Sequence, residues 1–232
     1  MSYIGGIKMV FDIPTPLIEK IKVGRASLFL GAGSSKEANF PESEELTQDI
    51  ISKVGEKIKY KLNGKPFGQV IDILYNTPGY GSGWVREKIV KLFLDLQKNT
   101  QSPPSKAHFL ITEIKWRTIF TTNYDCLIEM TYQNNKNSAQ QCLPIYKPDL
   151  KIKYHEEERV RIIKLHGSVE EAARESHHTL VFTFNEMQES RRKNELFYEI
   201  LRDEAVNGPL IFVGFKFKHP GAYSYATSPE FD

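Results

Sequence analysis

The chain has 232 residues, of which 40% are hydrophobic and 12% aromatic, and this composition is sufficient for the core of one large domain. The formal net charge is only +2 and the basic residues are spread along the chain, so we expect no direct nucleic-acid partner. No apolar run approaches the roughly 20 residues of a membrane span, and we expect a cytoplasmic protein without a membrane partner.

Short runs rich in Ile, Val and Phe alternate with longer segments of helical period. This alternation is typical of βα units and predicts an α/β fold, with a Rossmann-like, mostly parallel sheet flanked by helices. The predicted strands, in chain order, are Ser27 to Leu30, Thr118 to Thr122, Leu143 to Tyr146, Val160 to Leu165, Thr179 to Phe184 and Leu210 to Phe215.

A helical lobe at about residues 43–115 is predicted between the first two strands. Ser43 is the expected N-cap of its first helix, because Glu44 and Glu45 follow in the first turn. His108 is interpreted as a packed or capping residue. The other helices of the lobe are expected at Phe67 to Tyr75, along the stripe from Val85 to Leu96 and from Ala107 to Ile114.

The remaining segments are predicted from their polarity and turn residues. Asn76 to Gly83 and Thr131 to Gln141 are expected to be loops, and the charged segment Glu186 to Ala205 is expected to be one helix. We expect a single domain over residues 1–217, followed by an irregular tail over residues 218–232 that would fit a fragment of a longer protein.

The first candidate motif is LFLGAGSS, Leu28 to Ser35, in which a buried strand runs into two glycines and two serines. Glycines let a backbone approach a ligand closely, and the N–H groups that follow can meet phosphate oxygens. A bulky residue at Gly33 is then expected to block dinucleotide binding and leave the fold largely intact. Similar turns also serve only to pack a strand against a helix, and the spacing differs from G-x-G-x-x-G, so both readings stay open.

The second motif is TIFTTNYDCLIE, Thr118 to Glu129, an apolar strand that ends in polar residues. Asn123 and Asp125 fall at the carboxyl edge of the predicted sheet, where open α/β folds bind their ligands. The alternative is structural: Asp125 caps the following helix and Asn123 fills a turn.

Two further strands end in a comparable way. IIKLHGS, Ile162 to Ser168, places His166 after an apolar run, and histidine is the side chain best suited to acid/base chemistry near neutral pH. A single histidine at a strand end also occurs for structural reasons. LIFVGFKF, Leu210 to Phe217, is one more strand that ends at a glycine.

Together, the order and spacing of the four motifs resemble the sirtuin-like (silent information regulator-like) NAD-consuming family. Its members carry GAG-S, T-x-N-x-D, a histidine-glycine pair and a V-G turn in this order. The resemblance spans about Ser27 to Phe217 and is closest to the bacterial branch, with TTNYD and LHG as here. That branch is associated with anti-phage defence through NAD depletion.

The resemblance implies roles for individual residues. Asn123 would hold the nicotinamide ribose or a water, Asp125 would orient the nicotinamide side, and His166 would be the general base. The other implied NAD-binding residues are Gly31, Ala32, Gly33 and Ser34 at the phosphates, Thr122 in the same pocket, and Gly214 and Phe215 at the adenosine half.

The function implied by the resemblance is an NAD glycohydrolase, with NAD as substrate and no metal. We expect it to be activated by homo-oligomerisation or by a sensor or activator protein. The alternatives are a protein deacylase and a nucleotide-binding or assembly module without turnover.

Two features depart from the family. Protein-deacylating sirtuins carry a four-cysteine zinc module, whereas Cys126 and Cys142 are the only cysteines here. We expect both to be ordinary reduced residues and the protein to hold no stoichiometric zinc. Lys216 follows Phe215 where the bacterial branch usually has a serine, which puts the C-terminal edge of the pocket in question.

Overall fold

The computed structural model describes residues 3–4, 7–8, 12–98, 103–148, 156–175 and 180–216, and the predicted tail at 218–232 lies outside these ranges. A short antiparallel pair, β1 (Tyr3–Ile4) and β2 (Ile7–Lys8), precedes the main sheet. The main sheet has five parallel strands: β3 (Ser27–Leu30), β4 (Thr118–Thr121), β5 (Gln141–Ile145), β6 (Arg159–Lys164) and β7 (Leu210–Val213).

The strand order is β5-β6-β4-β3-β7, and every neighbouring pair is parallel. Leu30 pairs with Thr121 on one side and with Val213 on the other, and Thr121 pairs with Lys164. Four strands therefore end at the same level of the sheet. This register confirms the predicted α/β class and brings the four motifs to one edge.

Helices flank the sheet and form the predicted lobe between β3 and β4. A 3₁₀ helix over Ala32–Ala38 follows the glycine-rich turn. The lobe contains α2 (Ser43–Ser52), α3 (Glu56–Leu62), α4 (Phe67–Tyr75), α5 (Gly81–Lys98) and α6 (Lys106–Thr112). The flanking helices are α1 (Thr15–Lys22), α7 (Leu127–Asn134), α8 (Val169–Arg174), α9 (Phe184–Lys193) and α10 (Glu195–Asn207).

The two faces of the sheet bury separate apolar layers. Leu28 and Ile119 pack on one face with α6 and α7, whereas Phe29 and Phe120 pack on the other with α10. Alternate residues of a strand point to opposite faces, so these β-branched and aromatic runs are buried on both sides. A third apolar cluster joins α2, α4 and α5 of the lobe.

The strand predicted at Thr179 to Phe184 is wrong over its described residues, because helix α9 begins at Phe184 and no strand precedes it there. The backbone of this apolar segment, Leu180 to Thr183, forms hydrogen bonds with side chains and pairs with no strand of the sheet. Tyr124 Oη donates to the oxygen of Val181 at 2.7 Å, and the next two backbone N–H groups donate to the Glu186 carboxylate.

Three boundaries also differ from prediction. The N-cap of α2 is Glu42 rather than Ser43, since the Glu45 carboxylate accepts the Glu42 N–H at 2.9 Å. The expected loop from Thr131 is helical to Asn134 because Thr131 is buried. The predicted long helix divides at Asn194 into α9 and α10.

The lobe matches its predicted helices more closely. Helix α4 spans the predicted Phe67 to Tyr75, and α5 begins at Gly81, inside the expected loop. His108 caps α6 as predicted, because its Nδ1 accepts the Ser105 N–H at 3.2 Å. Within the described residues, no helix combines the length and apolar character needed to cross a bilayer.

Candidate active site

The carboxyl ends of β3, β4, β6 and β7 open into one cavity of about 290 Å³. Crevices at this edge are where open α/β sheets bind their ligands. Eight of the ten residues proposed from the sequence line it: Ala32, Gly33, Thr122, Asn123, Asp125, His166, Gly214 and Phe215. The other two, Gly31 and Ser34, lie beside it and contact Asn123.

The helical lobe and the segment before α9 supply the apolar side of the cavity. Phe67 and Phe93 come from the lobe, and Phe182 is in edge contact with Phe67 at 6.0 Å between ring centroids. The buried guanidinium of Arg86 donates to the oxygen of Leu180 at 2.6 Å, which joins this segment to α5. Such a wall excludes water from one side of the cavity.

The side chain of Asn123 is held in one orientation. Its amide nitrogen Nδ2 lies 3.1 Å from the Gly31 oxygen, 3.3 Å from Ser34 Oγ and 3.2 Å from Ser35 Oγ. Both hydroxyls donate elsewhere, Ser34 to Gly31 and Ser35 to Asp125, so they accept from the amide. The amide oxygen, which no described residue contacts as a donor, is left to accept from a ligand.

Asp125 both caps helix α7 and lines the cavity, so the two roles that the sequence left open are combined in one residue. Its Oδ1 accepts the Leu127 N–H at 3.1 Å, at the start of α7, and its Oδ2 accepts from Ser35 Oγ at 2.9 Å. Asp125 and Ser35 are both buried. The carboxylate therefore links α7 to the glycine-rich turn, and through Ser35 to Asn123.

The glycines allow two turns to pack backbone against backbone. A Cβ on Gly31 would lie 2.6 Å from the Gly214 oxygen, and one on Gly33 would lie 2.9 Å from it. Gly214 has φ +66°, and its Cβ would lie 2.1 Å from the nitrogen of Ser34. A bulky residue at Gly33 would therefore disturb this packing, contrary to the expectation that the fold would stay intact.

Three backbone donors of the glycine-rich turn already have protein acceptors. Gly31 N–H donates to Val213 at 3.0 Å, Gly33 N–H to Gly214 at 2.9 Å, and Ser34 N–H to Gly31 at 2.9 Å. The turn is thus a packed corner of the fold. Phosphate binding beside it has to draw on other donors as well.

His166 follows β6 and is half-buried at the cavity wall. Its backbone oxygen accepts the Val181 N–H at 3.2 Å, and Gly167 turns the chain away with φ +81°. A left-handed residue there favours glycine. The imidazole therefore lies on the edge of the sheet that Asn123 also occupies.

A buried ion pair lies beneath the site. Lys164 Nζ contacts Glu129 Oε1 at 3.0 Å and donates to the backbone oxygen of Asp125, and both charged side chains are almost fully buried. Burial is the largest influence and acts to lower the pKa of Lys164, but the interactions with Glu129, Cys126 and Asp125 together outweigh it and raise that pKa above the ordinary value. Lys164 thereby fixes the turn that carries Asn123.

Neither cysteine is suited to nucleophilic chemistry. Burial raises the pKa of Cys126 to about 12 and that of Cys142 to about 11. Cys126 Sγ lies 3.2 Å from Ser168 Oγ. Because the thiolate is the reactive form, both thiols stay neutral near pH 7.

Sequence reasoning missed Ser35, Tyr124 and Lys164 as parts of the site. Ser35 is the last residue of LFLGAGSS, and Tyr124 lies within TTNYD. Lys164 carried a usable signal, since a lysine in an apolar strand that is buried on both faces needs a partner.

Comparison with known proteins shows what this part of the chain is similar to. Residues 117–227 match the SIR2-like domain. The chain is 23% identical over 202 residues to NAD(+) hydrolase ThsA of Cytobacillus dafuensis, covering 84% of this chain and 36% of that protein. It is 24% identical over 213 residues to NAD(+) hydrolase ThsA of Enterococcus faecium, covering 87% of this chain and 39% of that protein.

The chain spans less than two fifths of the length of either relative. The region matched by the family model includes the strands that present Asn123, His166 and Gly214, whereas the glycine-rich turn and the lobe side of the cavity lie before it. The residue pattern, the parallel sheet and the family match agree. Residues 117–227 are therefore similar to a SIR2-like domain.

Proposed function

We propose that this domain is an NAD glycohydrolase, which cleaves NAD to nicotinamide and ADP-ribose. The observation that carries the proposal is the meeting of Asn123, Asp125 and His166 in one cavity beside the glycine-rich turn. The similarity to proteins named NAD(+) hydrolases supports NAD as the substrate.

Cleavage of the nicotinamide–ribose bond depends mainly on how the protein positions the substrate and water, because the bond is already activated by the positive charge of the nicotinamide ring. The bond from the ribose C1′ to the nicotinamide nitrogen breaks with its electron pair on nicotinamide, which leaves as a neutral molecule from a cationic ring. Water forms the new bond to C1′ and loses a proton. A dry cavity with a few placed polar groups stabilises the oxocarbenium-like sugar and the approach of water.

Two residues take the central roles. His166 accepts the proton of the attacking water, directly or through a ribose hydroxyl, and returns it to solvent. Asn123, through its amide oxygen, accepts a hydrogen bond from the ribose or the water, because its amide nitrogen is already bound to the glycine-rich turn. Asp125 acts through Ser35 to hold this arrangement.

The alternatives remain a protein deacylase and a nucleotide-binding module without turnover. The deacylase reading is disfavoured by the presence of only two cysteines, which cannot form a four-cysteine zinc module. Absence of stoichiometric zinc stays a prediction, and elemental analysis that finds one zinc per chain would revive the deacylase.

The biological role is part of the same proposal. The motifs TTNYD and LHG resemble the bacterial branch associated with anti-phage defence, and an NAD-depleting enzyme of that kind has to be silent until it is activated. We propose activation by self-assembly or by a sensor or activator partner, in the cytoplasm.

The test is an incubation of the protein with NAD while nicotinamide and ADP-ribose are quantified, with and without an acetylated peptide. The proposal expects both products in equal amounts, with no dependence on the peptide. Preparations at high concentration and with the full-length protein control for latency. Peptide-dependent release would favour the deacylase, and NAD binding without release under all conditions would favour the binding module.

A further inference from the structure

An ionic bridge joins the two sides of the cavity at its rim. Lys216, three residues beyond β7, places its Nζ 3.0 Å from Oε2 of Glu42, the N-cap of α2. Lys36 places its Nζ 3.1 Å from the same carboxylate oxygen. Lys216 and Glu42 both line the cavity, so the bridge spans from the sheet edge to the lobe.

The charges of the cavity lining make Lys216 unusual. Among the described lining residues, Lys216 is the one lysine or arginine, whereas Glu42, Glu44 and Asp125 supply carboxylates. A dinucleotide brings a pyrophosphate with two negative charges. Gly31, Gly33 and Ser34 already use their backbone N–H groups within the protein, so a side-chain cation at the rim would add to the attraction for the phosphates.

We propose that Lys216 is the phosphate-binding cation of this site and that Glu42 competes with the substrate pyrophosphate for it. The inference rests on the proposed NAD-cleaving function and names the residue that recognises the dinucleotide's charge. Lys216 lies two residues beyond Gly214, whose oxygen receives the Gly33 N–H at 2.9 Å. The ammonium is therefore attached to the turn that packs on the glycine motif.

Lys216 can exchange Glu42 for a phosphate at a small cost in free energy, because Lys36 shares the Glu42 carboxylate. When Lys216 turns from Glu42 to a phosphate, Lys36 still pairs with Glu42, so no carboxylate at the rim is left without a cation. Hydrogen bonds from Lys216 and Lys36 lower the pKa of Glu42, which keeps it ionised as a competitor at neutral pH. Lys216 is half-exposed and on a flexible stem, so it can reorient without a change in the fold.

The experiment measures the dissociation constants of ADP-ribose and adenosine by calorimetry for wild type, Lys216→Gln, Glu42→Gln and the double variant. We expect Lys216→Gln to weaken ADP-ribose binding about tenfold, the scale of a charge-assisted contact, and to leave adenosine binding unchanged. Lys216→Arg keeps the charge and should restore most of the affinity. Glu56→Gln, on the exposed side of α3, is the matched control for loss of a carboxylate.

The double variant distinguishes competition for Lys216 from the general repulsion between the Glu42 charge and an anionic ligand. Removal of any nearby negative charge helps an anion bind, but competition acts only through Lys216. Glu42→Gln should therefore tighten ADP-ribose binding about threefold in the wild-type background and have no effect in the Lys216→Gln background. An equal gain in both backgrounds, or no loss on Lys216→Gln, would overturn the inference.

The binding and release measurements together distinguish a failure of the Lys216 assignment from a failure of the proposed hydrolase function. Nicotinamide release with an ADP-ribose affinity indifferent to Lys216 would refute the phosphate assignment and leave the hydrolase intact. Lys216-dependent ADP-ribose binding without nicotinamide release under any of the conditions that control for latency would refute the hydrolase and support the assignment. Absence of ADP-ribose binding by folded wild type would refute the phosphate assignment, and the hydrolase would then be decided by nicotinamide release alone.

Discussion

The side-chain amide of Asn123 donates to the backbone oxygen of Gly31 across 3.1 Å, and so joins the end of β4 to the turn that follows β3. The two residues are far apart in sequence but adjacent in the parallel sheet, where Leu30 pairs with Thr121. A candidate catalytic residue and the glycine-rich turn are therefore positioned as one unit, and changes in one are expected to reach the other.

Ser35→Ala should weaken both activity and stability. It removes the hydroxyl that joins Asp125 to Asn123 and leaves a buried carboxylate oxygen without its donor, which lowers the free energy of unfolding by about 1–3 kcal/mol. Nicotinamide release is expected to fall about tenfold as Asn123 loosens. Ser52→Ala, at an exposed hydroxyl of α2, is the control, and equal behaviour of the two variants would exclude the proposed link.

Gly214→Ala should be more destabilising than Gly64→Ala. Both glycines have positive φ, +66° and +75°, so both alanines carry a left-handed strain of about 1–2 kcal/mol. Only at Gly214 does the new Cβ meet backbone, whereas Gly64 has nothing within 4 Å. Urea unfolding is expected to show an additional loss of about 1–3 kcal/mol at Gly214. Equal losses would contradict the backbone packing of the two turns.

Lys164→Met should lower the free energy of unfolding by about 3–5 kcal/mol, because it removes the cation that pairs with the buried Glu129 carboxyl, a group whose pKa burial already raises. Replacement of both residues, Lys164→Met with Glu129→Leu, should recover most of this loss. Lys193→Met, which breaks the exposed pair with Glu189, is expected to change stability by less than about 1 kcal/mol. If the double variant were as unstable as the single one, the loss would not come from the unpaired charge.

Cys126 should resist alkylation in the native protein. With its pKa raised to about 12 by burial, fewer than about one thiol in a thousand is ionised at pH 8.5. Iodoacetamide labelling, followed by mass spectrometry, is expected to modify Cys126 readily only in urea. Rapid native labelling at this position would show an exposed or activated thiol and would reopen a role for it in catalysis.

Much of the site could be predicted because its residues directly follow apolar strands. The strands at Ser27 to Leu30 and Val160 to Leu165 were recognisable from their β-branched and aromatic content, and Gly31 and His166 come next in the chain. In a parallel sheet these ends meet at one edge, so sequence order was enough to bring Asn123 and His166 to the same cavity.

Other features depend on partners far along the chain. Ser35 is bound to Asp125, 90 residues away, and no local pattern indicates that pair. The segment before Phe184 has strand-like composition but takes its bonds from Tyr124, Arg86 and Glu186, so tertiary contacts override its propensity. The bridge from Lys216 to Glu42 likewise spans 174 positions.

The most direct test of the account is the rate of nicotinamide release by His166→Ala at saturating NAD, with NAD affinity measured in parallel. We expect a loss of about 10²–10⁴ in turnover with little change in affinity, because His166 would act in the chemical step. Asn123→Ala should also cripple turnover, and the double variant should lose less than the product of the single losses, because both residues act on one step. Asn207→Ala, at an exposed side chain of α10, should match wild type. Robust NAD hydrolysis that survives both His166→Ala and Asn123→Ala would contradict the account.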